Sequence, residues 1–72
     1  MEKSKVIKEK GRVIEALPNL LFKVRLENGK EILAHLGGRL RMYRIKVLPG
    51  DNVLVEKTSY DENRGRIVYR LK

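Results

Sequence analysis

The sequence predicts an all-β domain in which five short strands close into a Greek-key barrel, with one short helical turn between strands 3 and 4. Three observations lead to this fold class. Short segments alternate apolar and polar residues with the period of two that is typical of half-buried strands. Turn-forming Gly, Pro and Asn residues separate these segments at short intervals. A chain of 72 residues has little structure to spare for covering sheet edges, and closing the barrel removes those edges.

The first strand is predicted over residues 6–15, where β-branched residues are mixed with charged ones. Gly11 lies in its middle and predicts a bulge or a sharp bend, as the corner of a small barrel requires. Pro18 and Asn19 then interrupt the chain, because proline has no N–H to donate and asparagine tolerates a left-handed turn.

The next two strands are predicted to form an antiparallel hairpin over residues 21–27 and 30–36, in which every second residue is apolar. Asn28 and Gly29 between them predict a two-residue type I′ turn, since both residue types accept a positive φ. His35 alternates with the apolar positions, so we expect a solvated side chain on the outer face of the strand rather than a general base or metal ligand.

A helical turn is predicted after the glycine pair at 37–38. Leu40 and Tyr43 are three residues apart in it, as are Arg41 and Arg44. One helical turn is therefore predicted to point Leu40 and Tyr43 inward as anchors and the two arginines outward. The Leu-Pro-Gly-Asp sequence at 48–51 predicts a turn in which the Asp51 side chain takes part.

The last two strands are predicted around a polar loop at 58–65. Val53 and Val55 begin the fourth strand with a clear alternation. The fifth strand is predicted over 66–71, with Ile67, Tyr69 and Leu71 on its inner face.

The charge is strongly positive and unevenly distributed. Seventeen Lys and Arg against nine Asp and Glu give a net charge of +8, and the pI is near 10.1. Two basic windows, 39–46 and 64–72, each contain four Lys or Arg and no acidic residue. Because clustered like charges oppose the compact state, such windows favour a surface that binds a polyanion.

Composition excludes several other classes. The hydrophobic fraction of 42% is too high for a disordered basic tail, and the absence of Cys excludes a disulfide scaffold and a thiolate metal site. No apolar run approaches the length of a transmembrane helix. The residues also show no catalytic pattern, since Ser4 and Ser59 have no neighbouring base in sequence. We therefore expect a flexible end at 1–5, a single domain over 6–72, and a cytoplasmic protein that is not an enzyme, has no cofactor and avoids membranes.

Aromatic residues lie among the basic ones, as suits RNA, whose unstacked bases need an aromatic face and whose backbone needs cations. Phe22 and Tyr69 are predicted to be core residues. Tyr43 and Tyr60, which are predicted in loops, are the better candidates for contact with RNA, and plain packing is the alternative for both.

The ordered set of motifs LPN, FKVRLENG, AHLGGRLR, IKVLPGDNVLVE and YD followed by GRIVYR resembles bacterial and plastid translation initiation factor one. The resemblance covers about residues 11–72 and implies an oligonucleotide-binding (OB) fold of the S1-like type. It also implies a monomer, in the cytoplasm or in the plastid stroma. Its partner would be the small ribosomal subunit, where it would bind the 16S rRNA decoding (A) site and a neighbouring ribosomal protein. There it would exclude tRNA during initiation and act with initiation factors two and three.

The resemblance also implies which residues contact rRNA. The family's basic loop after the third strand matches Arg39, Leu40, Arg41 and Met42, and the basic positions that follow match Lys46, Arg64, Arg66 and Arg70. With Tyr43, Arg44 and Tyr60 these residues form the predicted rRNA-binding site. Two alternatives stay open from the residues alone: a general single-stranded RNA-binding chaperone of the cold-shock type, and a basic adaptor for an acidic protein partner.

Overall fold

The computed structural model describes residues 6–58 and 61–71. In these residues five strands are joined by a 3₁₀ turn, Pro18–Leu20, and a short helix, α1, Gly38–Met42. The strands are β1 Val6–Leu17, β2 Leu21–Leu26, β3 Glu31–Leu36, β4 Asn52–Thr58 and β5 Asp61–Leu71. The expectation for residues 1–5 and the predicted contact at Tyr60 lie outside the described residues. Neither helical segment in the described part of the chain is long and apolar enough to cross a membrane.

The strands form a closed barrel in the order β1-β2-β3-β5-β4, which confirms the predicted fold class. All neighbouring pairs are antiparallel except β3 and β5, which are parallel. The barrel closes because β1 is long enough to pair with two neighbours. Its first half pairs with β4 and its second half with β2, and Gly11 and Arg12 pair on both sides.

The core consists of the inward residues of each strand, as alternation predicts. Val13, Val24, Val53, Val55 and Ile67 are completely buried. On β4 the next inward position after Val55 is Lys57, which is only 8% exposed. Its Nζ lies 3.5 Å from Oε2 of Glu9 on the neighbouring strand, so the charge is paired at the edge of the core.

Of the bulge or sharp bend predicted at Gly11, the bulge is wrong. Gly11 lies in an unbroken ladder, and the register shift in β1 falls between Val13 and Glu15. Glycine occupies position 11 for a different reason, which is close packing. A Cβ there would lie 2.7 Å from Val24 Cγ1 and 2.9 Å from the carbonyl oxygen of Arg25.

The β2–β3 hairpin is confirmed, but its predicted two-residue turn is wrong. The Leu26 N–H donates to the Lys30 carbonyl at 2.8 Å, so the turn between this pair has three residues, 27–29. Within it the Gly29 N–H donates to the Leu26 carbonyl at 2.9 Å. Gly29 has φ +90°, whereas Asn28 does not have a positive φ. Asn28 contributes through its side chain instead, since its Oδ1 accepts the Lys30 N–H at 2.8 Å. This arrangement matches the three-residue hairpin loop with glycine in the left-handed position.

The fifth strand differs most from the prediction. Most of the expected polar loop at 58–65 is strand, because Thr58 already pairs with Asp61. A register shift opposite Leu54 and Val55 then pairs Leu54 with Tyr69 and Val55 with Ile67, so one residue of β5 is inserted between them. This bulge turns the Tyr69 side chain outward, and Tyr69 is 53% exposed. The prediction that Tyr69 lies in the core is therefore wrong.

Candidate nucleic-acid interface

The helix α1 presents the first basic window, 39–46, at one end of the barrel. Gly37 holds the start of the helix against β5, since its N–H donates to the Ile67 carbonyl at 2.8 Å. Leu40 is buried in the core and anchors the helix, while Arg39 and Arg41 are exposed. The anchor prediction is thus confirmed for Leu40. It is wrong for Tyr43, which is 70% exposed.

The helix ends in a Schellman cap that fixes the loop behind it. The Arg44 N–H donates to the Arg41 carbonyl at 3.1 Å, and the Ile45 N–H donates to the Leu40 carbonyl at 2.9 Å. Ile45 packs against the core beside Leu40, which is the apolar contact that accompanies this motif. Arg44 takes the left-handed position, φ +54°, which glycine usually occupies. The cap therefore holds Arg44 outward in a strained conformation.

A hydrogen bond joins the second basic window, 64–72, to the first. Arg70 Nη1 donates to the Lys46 carbonyl oxygen at 2.8 Å. Because Arg70 lies near the end of β5, this contact fixes the last strand against the loop that follows α1. Two windows that are far apart in sequence thereby form one basic surface.

The remaining arginines of the second window lie on the outer face of β5. Arg64 and Arg66 are exposed, and Arg66 pairs in register with His35 on β3 and Glu56 on β4. The Arg66 guanidinium also forms an ion pair with Glu56, so it is oriented and its charge is balanced. His35 is exposed on the outer face, as predicted.

Several cations of this surface are available to a ligand. Within residues 6–58 and 61–71, the side chains of Arg39, Arg41, Arg44 and Arg64 form no ion pair or hydrogen bond. Met42 is 70% exposed beside them. Exposed arginines that have no partner in the described part of the chain suit phosphate groups, which a guanidinium binds through two parallel hydrogen bonds.

Two grooves border this surface. One has an apolar floor that includes Leu36 and Leu40 and a rim formed by Arg41, Arg44 and Lys46. The other brings Arg39 and Arg66 together with Lys8 and Tyr69. Sequence reasoning left Lys8 and Tyr69 out of the site. No signal in the sequence marks the bulge that turns Tyr69 outward, and Lys8 reaches the groove only through the pairing of β1 with β4.

Known proteins resemble this chain in both sequence and structure. The family model described as translation initiation factor 1A / IF-1 matches residues 2–72. The solution structure of the translation initiation factor IF-1 from the Wolbachia endosymbiont strain TRS of Brugia malayi is 43% identical, with a TM-score of 0.78. The match covers 99% of this chain and 85% of that one.

A second solved structure, YjeQ from Thermotoga maritima, is 29% identical with a TM-score of 0.74. The match covers 92% of this chain but only 23% of that protein, so the likeness is to one part of a much longer chain.

Within residues 6–58 and 61–71 no group of three or more His, Cys, Asp or Glu side chains is placed to hold a metal ion.

Proposed function

The chain belongs to the translation initiation factor 1A / IF-1 family, and on that premise we propose that it binds the decoding (A) site of the small ribosomal subunit. It acts there by occupying the site. The domain contacts 16S rRNA and a neighbouring ribosomal protein, keeps tRNA out during initiation, and cooperates with initiation factors two and three.

One observation carries this proposal beyond family membership, namely the junction of the two basic windows. The Arg70–Lys46 contact makes a single surface from the loop after α1 and the end of β5. The exposed arginines supply phosphate contacts, which give affinity and register but carry no sequence information. Selection of one site then rests on the shape of the barrel end against the rRNA groove, because the hydrogen bonds of the cap and the buried Leu40 hold the loop in place.

The direct test is a titration of the fluorescently labelled protein with purified small ribosomal subunits, at two salt concentrations. Unlabelled single-stranded RNA, a decoding-site antibiotic and polyglutamate serve as competitors. We expect saturation near one protein per subunit, with displacement by the antibiotic and little by bulk RNA. The log–log slope against salt should be about −0.7 to −0.9 per phosphate contacted. Displacement by bulk RNA alone indicates a chaperone of the cold-shock type, and displacement by polyglutamate alone indicates an adaptor for acidic proteins.

At single-residue level, Arg41→Ala should weaken subunit binding by about 1–3 kcal/mol, because it removes a charge-assisted contact. Arg12→Ala is the matched control, since Arg12 is an exposed arginine on β1 whose side chain has no ion pair with the described residues. Equal losses in the two variants would assign the effect to net charge and remove Arg41 from the site.

A further inference from the structure

The β5 bulge creates a surface feature that phosphate binding alone does not use. It places the ring of Tyr69 on the outer face of the barrel, opposite Leu54 on β4, which in turn pairs with Lys10 on β1. Tyr69 is just over half exposed. An exposed aromatic ring on a sheet offers a flat face on which an unstacked nucleobase can lie.

The groove beside the ring is positively charged. Lys8, Arg39 and Arg66 lie around it, and Glu56 balances only Arg66. Lys8 and Arg39 form no side-chain ion pair or hydrogen bond with the described part of the chain. Two cations without a partner among the described residues therefore lie beside the groove that the ring lines, as a ligand with phosphate groups requires.

Glycine keeps one wall of this groove open. Gly38 lines it, is exposed, and a Cβ at this position would meet no other atom within 4 Å. The absence of a side chain allows a sugar-phosphate backbone to approach α1 closely.

We propose that Tyr69 is a stacking platform for one base of single-stranded RNA, with Lys8 and Arg39 binding the adjacent phosphates. The inference rests on the proposed function, because it adds a base-binding subsite beside the basic surface assigned to rRNA. Duplex RNA does not fit, since its bases are already stacked. An acidic peptide would use the two cations but would leave the ring without a partner.

The protein contains no Trp and three Tyr, so tyrosine fluorescence can report on this ring directly. With Tyr43 and Tyr60 both changed to Phe, Tyr69 is the only emitter. We expect a uridine pentanucleotide to quench its emission in a saturable way, while an abasic pentamer and polyglutamate do not. Equal quenching by the abasic chain or by polyglutamate, or no quenching, would overturn the proposal.

Affinity gives a second readout on single variants. Tyr69→Ala should weaken oligonucleotide binding about 5- to 150-fold, the range that follows from 1–3 kcal/mol per stacked base. Tyr69→Phe keeps the ring and should bind like the unmodified chain, and Lys23→Ala on β2 serves as the charge control. Loss with Tyr69→Phe as great as with Tyr69→Ala contradicts stacking.

Base stacking on Tyr69 can also be tested by NMR on the unmodified protein, without any substitution. Upfield NMR shifts of the Tyr69 ring protons on adding the pentanucleotide, and not the abasic chain, are expected from a stacked base. If these shifts are absent while the subunit titration still saturates and responds to the antibiotic, the subsite is wrong and the proposed function stands. If subunit binding also fails, both are wrong.

Discussion

Gly11 shows how one missing side chain sets the geometry of β1, because both neighbouring strands pair with it. Gly11→Ala should destabilise the fold by about 1–3 kcal/mol, since the new methyl group would press on Val24 and on the backbone of Arg25. Urea denaturation measures the change. Gly38→Ala is the matched control and should be within about 0.5 kcal/mol of the unmodified chain, because its Cβ meets open space. Similar losses in both variants would contradict the packing argument.

Glu31 is the residue at which pH dependence is expected. A hydrogen bond from Arg25 Nη2 at 2.8 Å, helped by the positive charges of Arg25 and Lys23, holds the pKa of Glu31 below its usual range, although desolvation opposes the shift. A carboxyl with a lowered folded-state pKa contributes stability above its unfolded pKa, and this contribution is lost as pH falls through the folded value. Arg25→Gln should therefore raise the pKa of Glu31 towards normal.

An NMR titration of the Glu31 carboxyl in both proteins checks this prediction. Glu27 in the adjacent loop is the internal reference, since the substitution removes no contact of its side chain that the structure describes. A Glu31 pKa that does not move on Arg25→Gln would assign the shift to another group.

Individual side chains were predicted well where alternation continues and poorly where it breaks. Phe22 and Val24 are buried as expected, because the β2–β3 ladder has no register shift. Tyr69 follows an inserted residue, and a single insertion reverses the face of every later side chain. Tyr43 lies at the end of a helix of only five residues, where the chain turns into the cap before helical spacing can bring the ring inward.

At the scale of elements, the cap of α1 combines strain with exposure. Arg44 occupies a left-handed conformation that costs a residue with a Cβ about 1–2 kcal/mol. Arg44→Gly should therefore stabilise the fold by about 1 kcal/mol while it weakens subunit binding, as expected where strain is kept at a functional site.

Arg41→Gly is the matched control, because Arg41 lies within α1 and glycine is unfavourable there. It should destabilise the fold and weaken subunit binding together. Denaturation midpoints and subunit titrations of the two variants test whether stability and binding change in opposite directions in Arg44→Gly and in the same direction in Arg41→Gly. A fall in stability for Arg44→Gly would mean that side-chain contacts outweigh the backbone strain.

Among the elements, the sequence predicted the existence of all five strands better than their ends. The polar segment 58–65 was predicted as loop because it lacks apolar alternation. In its described residues, Thr58 and 61–65, strand pairing with β3 and β4 overrides the composition. The predicted turn at 48–51 is confirmed. Gly50 has φ +96°, and Asp51 Oδ2 accepts the Leu48 N–H at 2.8 Å.

At the scale of the whole molecule, a net charge of +8 faces few ion pairs among the described residues. Salt screens like charges over about 8 Å at physiological ionic strength, so moderate NaCl should relieve their repulsion. We expect Tm to rise by about 2–5 °C between low salt and about 0.15 M NaCl. The double substitution of Lys10 and Arg12 by Glu lowers the net charge to +4 and should reduce this rise. A Tm that falls with salt would mean that the attraction within ion pairs outweighs the repulsion between like charges.

The barrel and the basic surface were predictable because they rest on repeated patterns, alternation for the first and clustered arginines for the second. The joining of the windows was not, since it depends on one hydrogen bond between Arg70 and the Lys46 backbone. Lys8, which has no ion pair with the described residues, likewise lines the groove because β1 pairs with β4, and local sequence does not predict that pairing.

The pairing of β1 with β4 and of β3 with β5 has a kinetic consequence. Strands that follow one another in the chain can pair early, but these two pairings join distant segments. Val6 pairs with Thr58, and the parallel partner of β3 is β5, which ends at Leu71. Topologies dominated by such distant pairings fold slowly, within milliseconds to seconds. During synthesis the barrel therefore stays open until its last strand has left the ribosome, so each new molecule passes through a stage with unpaired strands and no finished basic surface.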